Sequence, residues 1–268
     1  MAHLTITKPK PSLWRVSFDN PPVNLVSSQT VLELQQLVAA AKADPDLAVI
    51  LFESANADFF CAHWDLTDDF STVPAGPNGV VPLIDVFNQI SRLPVMTVSA
   101  IRGRAHGAGS EWLLATDIRF ASRERCLIGQ FEAASGNLPG AGAMQRLPRL
   151  VGRGRALEII AAADDFDGDL AERYGYVNRA VPDAEFDEFI DKFVSRLSSI
   201  NPRTIRQIKE FVDPQTLPDD TEYIAVTDLF FKNLAQPDVQ AWIGRKTQQG
   251  LQQHSDVELR LGELGVTP

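Results

Sequence analysis

The chain is predicted to fold as an α/β domain with a helical C-terminal region. Three observations carry this. Residues 13–53 read strand, turn, helix, strand; residues 95–116 read strand, glycine turn, short helix; and from about Asp183 the pattern is almost purely helical.

Taken in order, Leu13-Trp-Arg-Val-Ser-Phe18 alternates as a strand does, and Asp19-Asn-Pro-Pro22 stops it. Ser28 is placed to cap a helix running to about Lys42, with Val31, Leu34, Val38 and Ala41 at helical spacing. Asp44-Pro45-Asp46 ends that helix, and Leu47 to Glu53 reads as a buried strand. Residues 54–66 read as a loop, and residues 71–81, rich in Pro, Gly and Val, as a mobile one. Leu83 to Leu93 is a helix broken at Pro94, and Val95 to Ile101 is a second buried strand. After the glycine turn comes a short apolar helix, Ser110 to Thr116, with Ser110 as its cap. Ile118–Ala121 and Cys126–Ile128 read as short strands. Pro139-Gly-Ala-Gly142 opens a helix leading to Val151, and Arg153 to Ala162 is another. Gly175 to Val181 is a turn and strand. The helical remainder is interrupted at Asn201-Pro202, Asp213-Pro214, Leu217-Pro218 and Gln236-Pro237.

Composition narrows the function. The chain has 268 residues, is 44% hydrophobic and carries a net charge of −10, which is ample for a core and leaves no basic stripe for nucleic acid. No apolar run approaches the length of a membrane span. Two cysteines, Cys61 and Cys126, make a disulfide framework improbable. With a start that lacks signal-peptide character, they read as reduced thiols of a cytoplasmic protein.

Two segments carry the chemistry. Ser99-Ala-Ile-Arg-Gly-Arg-Ala-His-Gly-Ala-Gly-Ser-Glu111 and Ile128-Gly-Gln-Phe-Glu132-Ala-Ala-Ser-Gly-Asn-Leu-Pro-Gly-Ala-Gly142 each set one carboxylate among small or apolar residues beside glycine-rich backbone. A carboxylate in such surroundings is costly unless hydrogen-bonded or used in proton transfer. The bland readings are a first-turn acid favoured by the helix dipole for Glu111 and a satisfied surface carboxylate for Glu132. A dinucleotide-binding reading of the glycine turn fails, because Trp112 stands where the third glycine is needed. A nucleophile elbow at Ser110 fails too, because Ala108 and Trp112 occupy its glycine positions. The histidines at 3, 63, 106 and 254 show no metal-ligand spacing, so no metal is expected.

These segments resemble the enoyl-CoA hydratase/isomerase (crotonase) superfamily. Phe60-Cys-Ala-His-Trp-Asp-Leu66 is similar to its F-x-A-G-A-D-L loop, Ser99 through Trp112 to V-x-G-x-A-x-G-G-G-x-E-L, and Ile128 through Leu147 to F-G-x-P-E-x-x-x-G-x-x-P-G-x-G-x-x-Q-R-L. The resemblance implies a ββα spiral core over residues 1–200 and a helical oligomerisation region over 201–268. It also implies a homotrimer or dimer of trimers. The substrate would be a coenzyme A thioester, with no separate cofactor. It further implies that the backbone N–H groups of Trp64 and Ala108 form an oxyanion hole, and that Glu111 and Glu132 add water across a 2,3-double bond. Glu111 would deprotonate the water and Glu132 protonate C2. Ala62, His63, Asp65, Leu66, Gly107 and Gly140 would lie against the substrate. The chain departs from the pattern at His63-Trp64, where Gly-Ala is usual, and at Phe131, where proline is common. Thr67-Asp-Asp-Phe70 is acidic where hydratases often carry lysine. An isomerase, a C–C bond hydrolase and a non-catalytic scaffold member of the same superfamily remain the other readings.

Overall fold

The computed structural model describes residues 2–76 and 79–267. Strands β1 (Leu4–Lys10) and β2 (Leu13–Phe18) form an antiparallel hairpin. Helix α1 (Ser28–Ala43) returns the chain to β3 (Val49–Ser54), parallel to β2 with Leu13 opposite Val49. Strand β4 (Phe59–Cys61) and helix α2 (Pro82–Ser91) lead to β5 (Met96–Ile101), parallel to β3. Then come β6 (Arg104–His106), α3 (Ala108–Ala115), β7 (Ile118–Ser122) and β8 (Leu127–Gly129). Helices α4 (Ala143–Val151) and α5 (Arg153–Ala162) precede β9 (Asp165–Asp167), α6 (Gly168–Tyr174) and β10 (Arg179–Val181). The remainder is helical: α7 (Asp183–Leu197), α8 (Pro202–Thr216), α9 (Ile224–Leu234), α10 (Pro237–Gln248), α11 (Asp256–Leu259) and α12 (Leu261–Gly265).

Two sheets result. The larger runs β1-β2-β3-β5-β7-β10 and is parallel from β2 onward; the smaller runs β4-β6-β8-β9, with β4, β6 and β8 parallel. Parallel sheets need cover on their faces because crossover helices must pack there. Leu13, Val49, Leu51, Val98 and Phe120 of the large sheet meet Phe186, Ile190 and Val194 of α7. A larger apolar cluster holds Trp14, Val16 and Phe18 of β2 with α1, α2 and α3. Trp112 of α3 joins the layers: its ring lies 5.3 Å from Phe18, 5.6 Å from Phe52, 6.1 Å from Phe60 and 6.3 Å from Phe87. One indole thus touches both sheets and α2.

The structure differs from the sequence expectations at definite points. Strand β1 went unread because five of its seven side chains are exposed, so no alternation marks it; pairing with β2 makes it a strand. Strand β4 lies inside the expected loop 54–66, and β9 and α6 lie in a stretch left unassigned; β4 and β9 have three residues each and exist through pairing with β6 and β8. The α1 cap is Ser27 rather than Ser28, in a reciprocal capping box with Thr30. The cap of α3 is Gly107; Ser110 sits inside the helix, its hydroxyl 2.6 Å from the Tyr176 hydroxyl. Pro214 does not break α8, because it falls in the last turn, where the carbonyl it leaves free belongs to exposed Glu210. The expected mobile loop at 71–81 falls partly on residues 77 and 78, outside the described residues; Phe70–Thr72 forms a single 3-10 turn.

Replacing Trp112 with Ala removes the ring shared by both layers. The expected loss is about 3–5 kcal/mol of unfolding free energy, read as a lowered denaturant midpoint. A shift under ~1 kcal/mol would show that the layers are joined elsewhere.

Candidate active site

Parallel pairing of β4 with β6 brings the ends of both strands to one place, so residues 62–64 and 107–108 become neighbours. The loop after β4 is fixed through its backbone. Ala62 N–H donates to the Val23 and Asn24 carbonyls, His106 N–H donates to Ala62 C=O at 2.9 Å, and Val26 N–H donates to His63 C=O at 2.8 Å. A planar trans peptide holds its C=O and N–H on opposite edges. Anchoring the His63 carbonyl on Val26 therefore turns the Trp64 N–H the other way, and among the described residues it has no acceptor. Ala108 opens α3, where helix geometry supplies no intrahelical acceptor, and its N–H is likewise free. Trp64 and Ala108 both line one cavity.

Glu111 and Glu132 line the same cavity. Glu111 is 2% exposed, and its Oε1 accepts from Ala141 N–H at 2.7 Å and Ala143 N–H at 2.9 Å. Glu132, 8% exposed, opens the 3-10 turn Glu132–Ser135, and its Oε2 is buried without a partner. Gly107 has φ of 46°, and a Cβ there would stand 2.6 Å from Glu132 Oε1. Only glycine satisfies both the left-handed backbone and that approach.

Burial raises both acids, but unequally. Glu111 is pushed up to about 7 by desolvation, held back by the amides of Ala143 and Ala141 and by the Arg146 charge. Glu132 is raised well above the usual carboxylate range by desolvation and by the negative charge of Glu111. The two amides favour the charged form of Glu111, while the Glu111 charge opposes ionisation of Glu132.

The cavity measures about 290 Å³. Of the residues expected against a substrate, His63, Leu66 and Gly140 line it; Ala62, Asp65 and Gly107 do not. Ala62 and Gly107 lie behind the wall, Ala62 held by backbone hydrogen bonds and Gly107 at a positive φ. Asp65 Oδ1 accepts from Thr67 and from the Gln252 amide, tying the loop to the tail. His63 is buried, with Nδ1 2.7 Å from the Trp64 carbonyl and Nε2 3.4 Å from Glu258 Oε1. Asp68 and Asp69 serve as caps, accepting from the backbone N–H of Ser28 and Ser71.

The tail was missed as part of the site. Thr227, Phe230, Phe231 and Leu234 of α9, with Val239, Trp242 and Ile243 of α10, form much of the wall. The Phe230-Phe231 pair and the i, i+3, i+4 spacing of Val239, Trp242 and Ile243 were the available signals.

A family profile described as enoyl-CoA hydratase/isomerase matches residues 9–253. The chain is 35% identical over 183 residues to enoyl-CoA hydratase domain-containing protein 2, mitochondrial, of Mus musculus; the match takes in 67% of this chain and 61% of the mouse protein, so the chain spans about three-fifths of that relative. The structure is similar to the crystal structure of a Streptomyces avermitilis protein provisionally described as an enoyl-CoA hydratase, with TM-score 0.93, 40% identity and coverage of 99% of this chain and 97% of that one. An enoyl-CoA hydratase from Mycobacterium avium subsp. paratuberculosis K-10 shares the fold, with TM-score 0.80 and 22% identity over 90% of this chain and 97% of that chain. With the profile matched over nearly its whole length and its layers arranged as in these structures, the chain belongs to the enoyl-CoA hydratase/isomerase (crotonase) family.

Proposed function

We propose that the protein hydrates the 2,3-double bond of an acyl-CoA thioester. The observation that carries this reading is the pair of unequal acids beside two free backbone amides. Hydration needs a base for water and an acid for carbon in one site, and the differing surroundings of Glu111 and Glu132 suit them to those two tasks. Ionised Glu111 takes a proton from water as the oxygen bonds to C3. The π electrons move through C2 onto the thioester oxygen, where the N–H groups of Trp64 and Ala108 meet the developing charge. Protonated Glu132 then delivers its proton to C2. Glu111 ends protonated and Glu132 ionised, and exchange with solvent restores the starting pair. Donors fixed in this way contribute about 3–4 kcal/mol each in related oxyanion sites. A double-bond isomerase of the family would use the same amides with a single shuttling carboxylate; retention of both acids favours hydration.

We further infer assembly into a homotrimer or dimer of trimers. Phe211, at 77% exposure, lies with Ile208 and Val212 on the open face of α8, an apolar patch that a contact between copies would cover. Sedimentation equilibrium is expected to give three or six copies; a monomer at micromolar concentration would overturn the assignment.

Replacing Glu111 or Glu132 by Gln should each lower kcat for 2-enoyl-CoA hydration by about 10²–10⁴-fold, followed by loss of the conjugated thioester absorbance. Full activity in either variant would remove that carboxylate from the mechanism. The wild-type kcat/KM is expected to rise with an apparent pKa near 7 as Glu111 ionises and to fall at higher pH as Glu132 ionises. Stability should run the opposite way. Glu111 binds its proton more tightly folded than unfolded, so its contribution is complete below about 4.5 and is lost as pH rises through about 7. Glu111→Gln should therefore be more stable than wild type at pH 8, by on the order of 3 kcal/mol of unfolding free energy, with the gap closing at pH 4.5. An equal gap at both values would mean that Glu111 is not raised.

A further inference from the structure

One side of the cavity is built from rings. Trp64 lies edge-on to Phe70 at 5.4 Å and to Phe231 at 6.3 Å, and tilted against Phe230 at 5.8 Å; Phe230 and Phe231 meet edge-on at 5.3 Å. On another side Phe131 stacks on Trp242 at 6.0 Å. Both groups flank the acids. A Cβ at Gly107 would stand 3.0 Å from the Phe131 ring, and one at Gly140, next to the Ala141 amide that holds Glu111, would stand 2.6 Å from the Phe230 ring.

Besides the two acids and His63, the polar side chains in the wall are engaged. Ser135 donates to the Glu132 carbonyl at 2.7 Å, Thr227 donates to the Tyr223 carbonyl at 2.8 Å, and Asn137 accepts from Leu138 N–H at 2.8 Å. The wall therefore offers shape and ring faces rather than hydrogen bonds to an acyl substituent. At about 290 Å³ the space is at the low end of cavities that hold small organic ligands. A phenyl ring fits that volume, and aromatic walls reward it through offset and edge-to-face contact that a flexible chain cannot match.

We propose that the substrate is a compact arylpropenoyl thioester, a phenyl-type ring conjugated to the 2,3-double bond, and that Trp64, Phe70 and Phe230 set this preference. The inference rests on the hydration reading for its chemistry and on the ring-lined wall for its specificity. In the hydration direction water adds to C3, the carbon bearing the ring, and the proton from Glu132 goes to C2. Because conjugation with the ring favours the alkene, the test runs toward water loss. Rates are compared for 3-hydroxy-3-phenylpropanoyl-CoA and 3-hydroxyoctanoyl-CoA. The expected preference for the phenyl compound in kcat/KM is about tenfold or more, and Phe230→Leu and Phe70→Leu should each shrink that ratio severalfold. Equal or faster turnover of the linear compound overturns the ring preference and leaves hydration standing. A preference untouched by both variants overturns the assignment of these residues. If neither compound turns over, the hydration reading falls, and calorimetric binding of 3-phenylpropanoyl-CoA against octanoyl-CoA decides the pocket alone: tighter phenyl binding sustains the inference, and equal or weaker binding ends it.

Discussion

Two buried carboxyl groups lining one cavity oppose each other's ionisation, because mutual repulsion adds to the desolvation each already suffers. The backbone decides which one yields. The turn before α4 aims two N–H groups at Glu111 and none at the free oxygen of Glu132. The pair differs because its surroundings differ, not because the side chains do. Much of the local architecture bears on this inequality: the glycine at 107 that lets Glu132 approach, the apolar helix that buries Glu111, and the tail that supplies much of the cavity wall.

The tail is bound to the site through both side chain and backbone. Gln252 accepts from the Leu66 amide at 2.7 Å and donates to Asp65 at 3.0 Å, while Glu258 faces His63. Burial and the Glu258 charge oppose each other on His63, and the net effect is a raised pKa; Glu258 is correspondingly lowered, by the nearby imidazole and hydrogen bonds acting against its own desolvation. Lys246, fully buried, donates to the carbonyls of Leu264 and Thr267, fastening the end of the chain to α10. Residues far apart in sequence thus order one loop.

Long periodic segments are legible in the sequence itself. The buried face of α1, the strands at 49–54 and 96–101 and the helical character after Asp183 follow from spacing alone, as do the two glutamates set in small-residue surroundings. The three-residue strands β4 and β9 were not legible, since each exists by pairing with a partner 40 or so residues away and carries no pattern of its own. The aromatic wall from α9 and α10 escaped for a similar reason. Helical periodicity marks an apolar face but not the surface it will meet, and Phe230 reads the same whether it covers a subunit contact or a cavity. His63 lines the cavity as the motif suggests, but its partnership with Glu258 joins positions nearly two hundred residues apart and carries no local signal.

The peptide linking His63 to Trp64 is held by its carbonyl on Val26, so the exposed N–H owes its direction to the main chain. The indole attached to the next carbon plays no part in aiming it. One residue therefore carries two separable functions: a donor that any amino acid except proline supplies, and a side chain that shapes the neighbouring space. Such a position is evolvable in a specific sense. Exchange of the side chain can redirect what the cavity admits while the donor stays in place, which is how a chain can depart from its relatives at the centre of a shared motif and retain the motif's geometry.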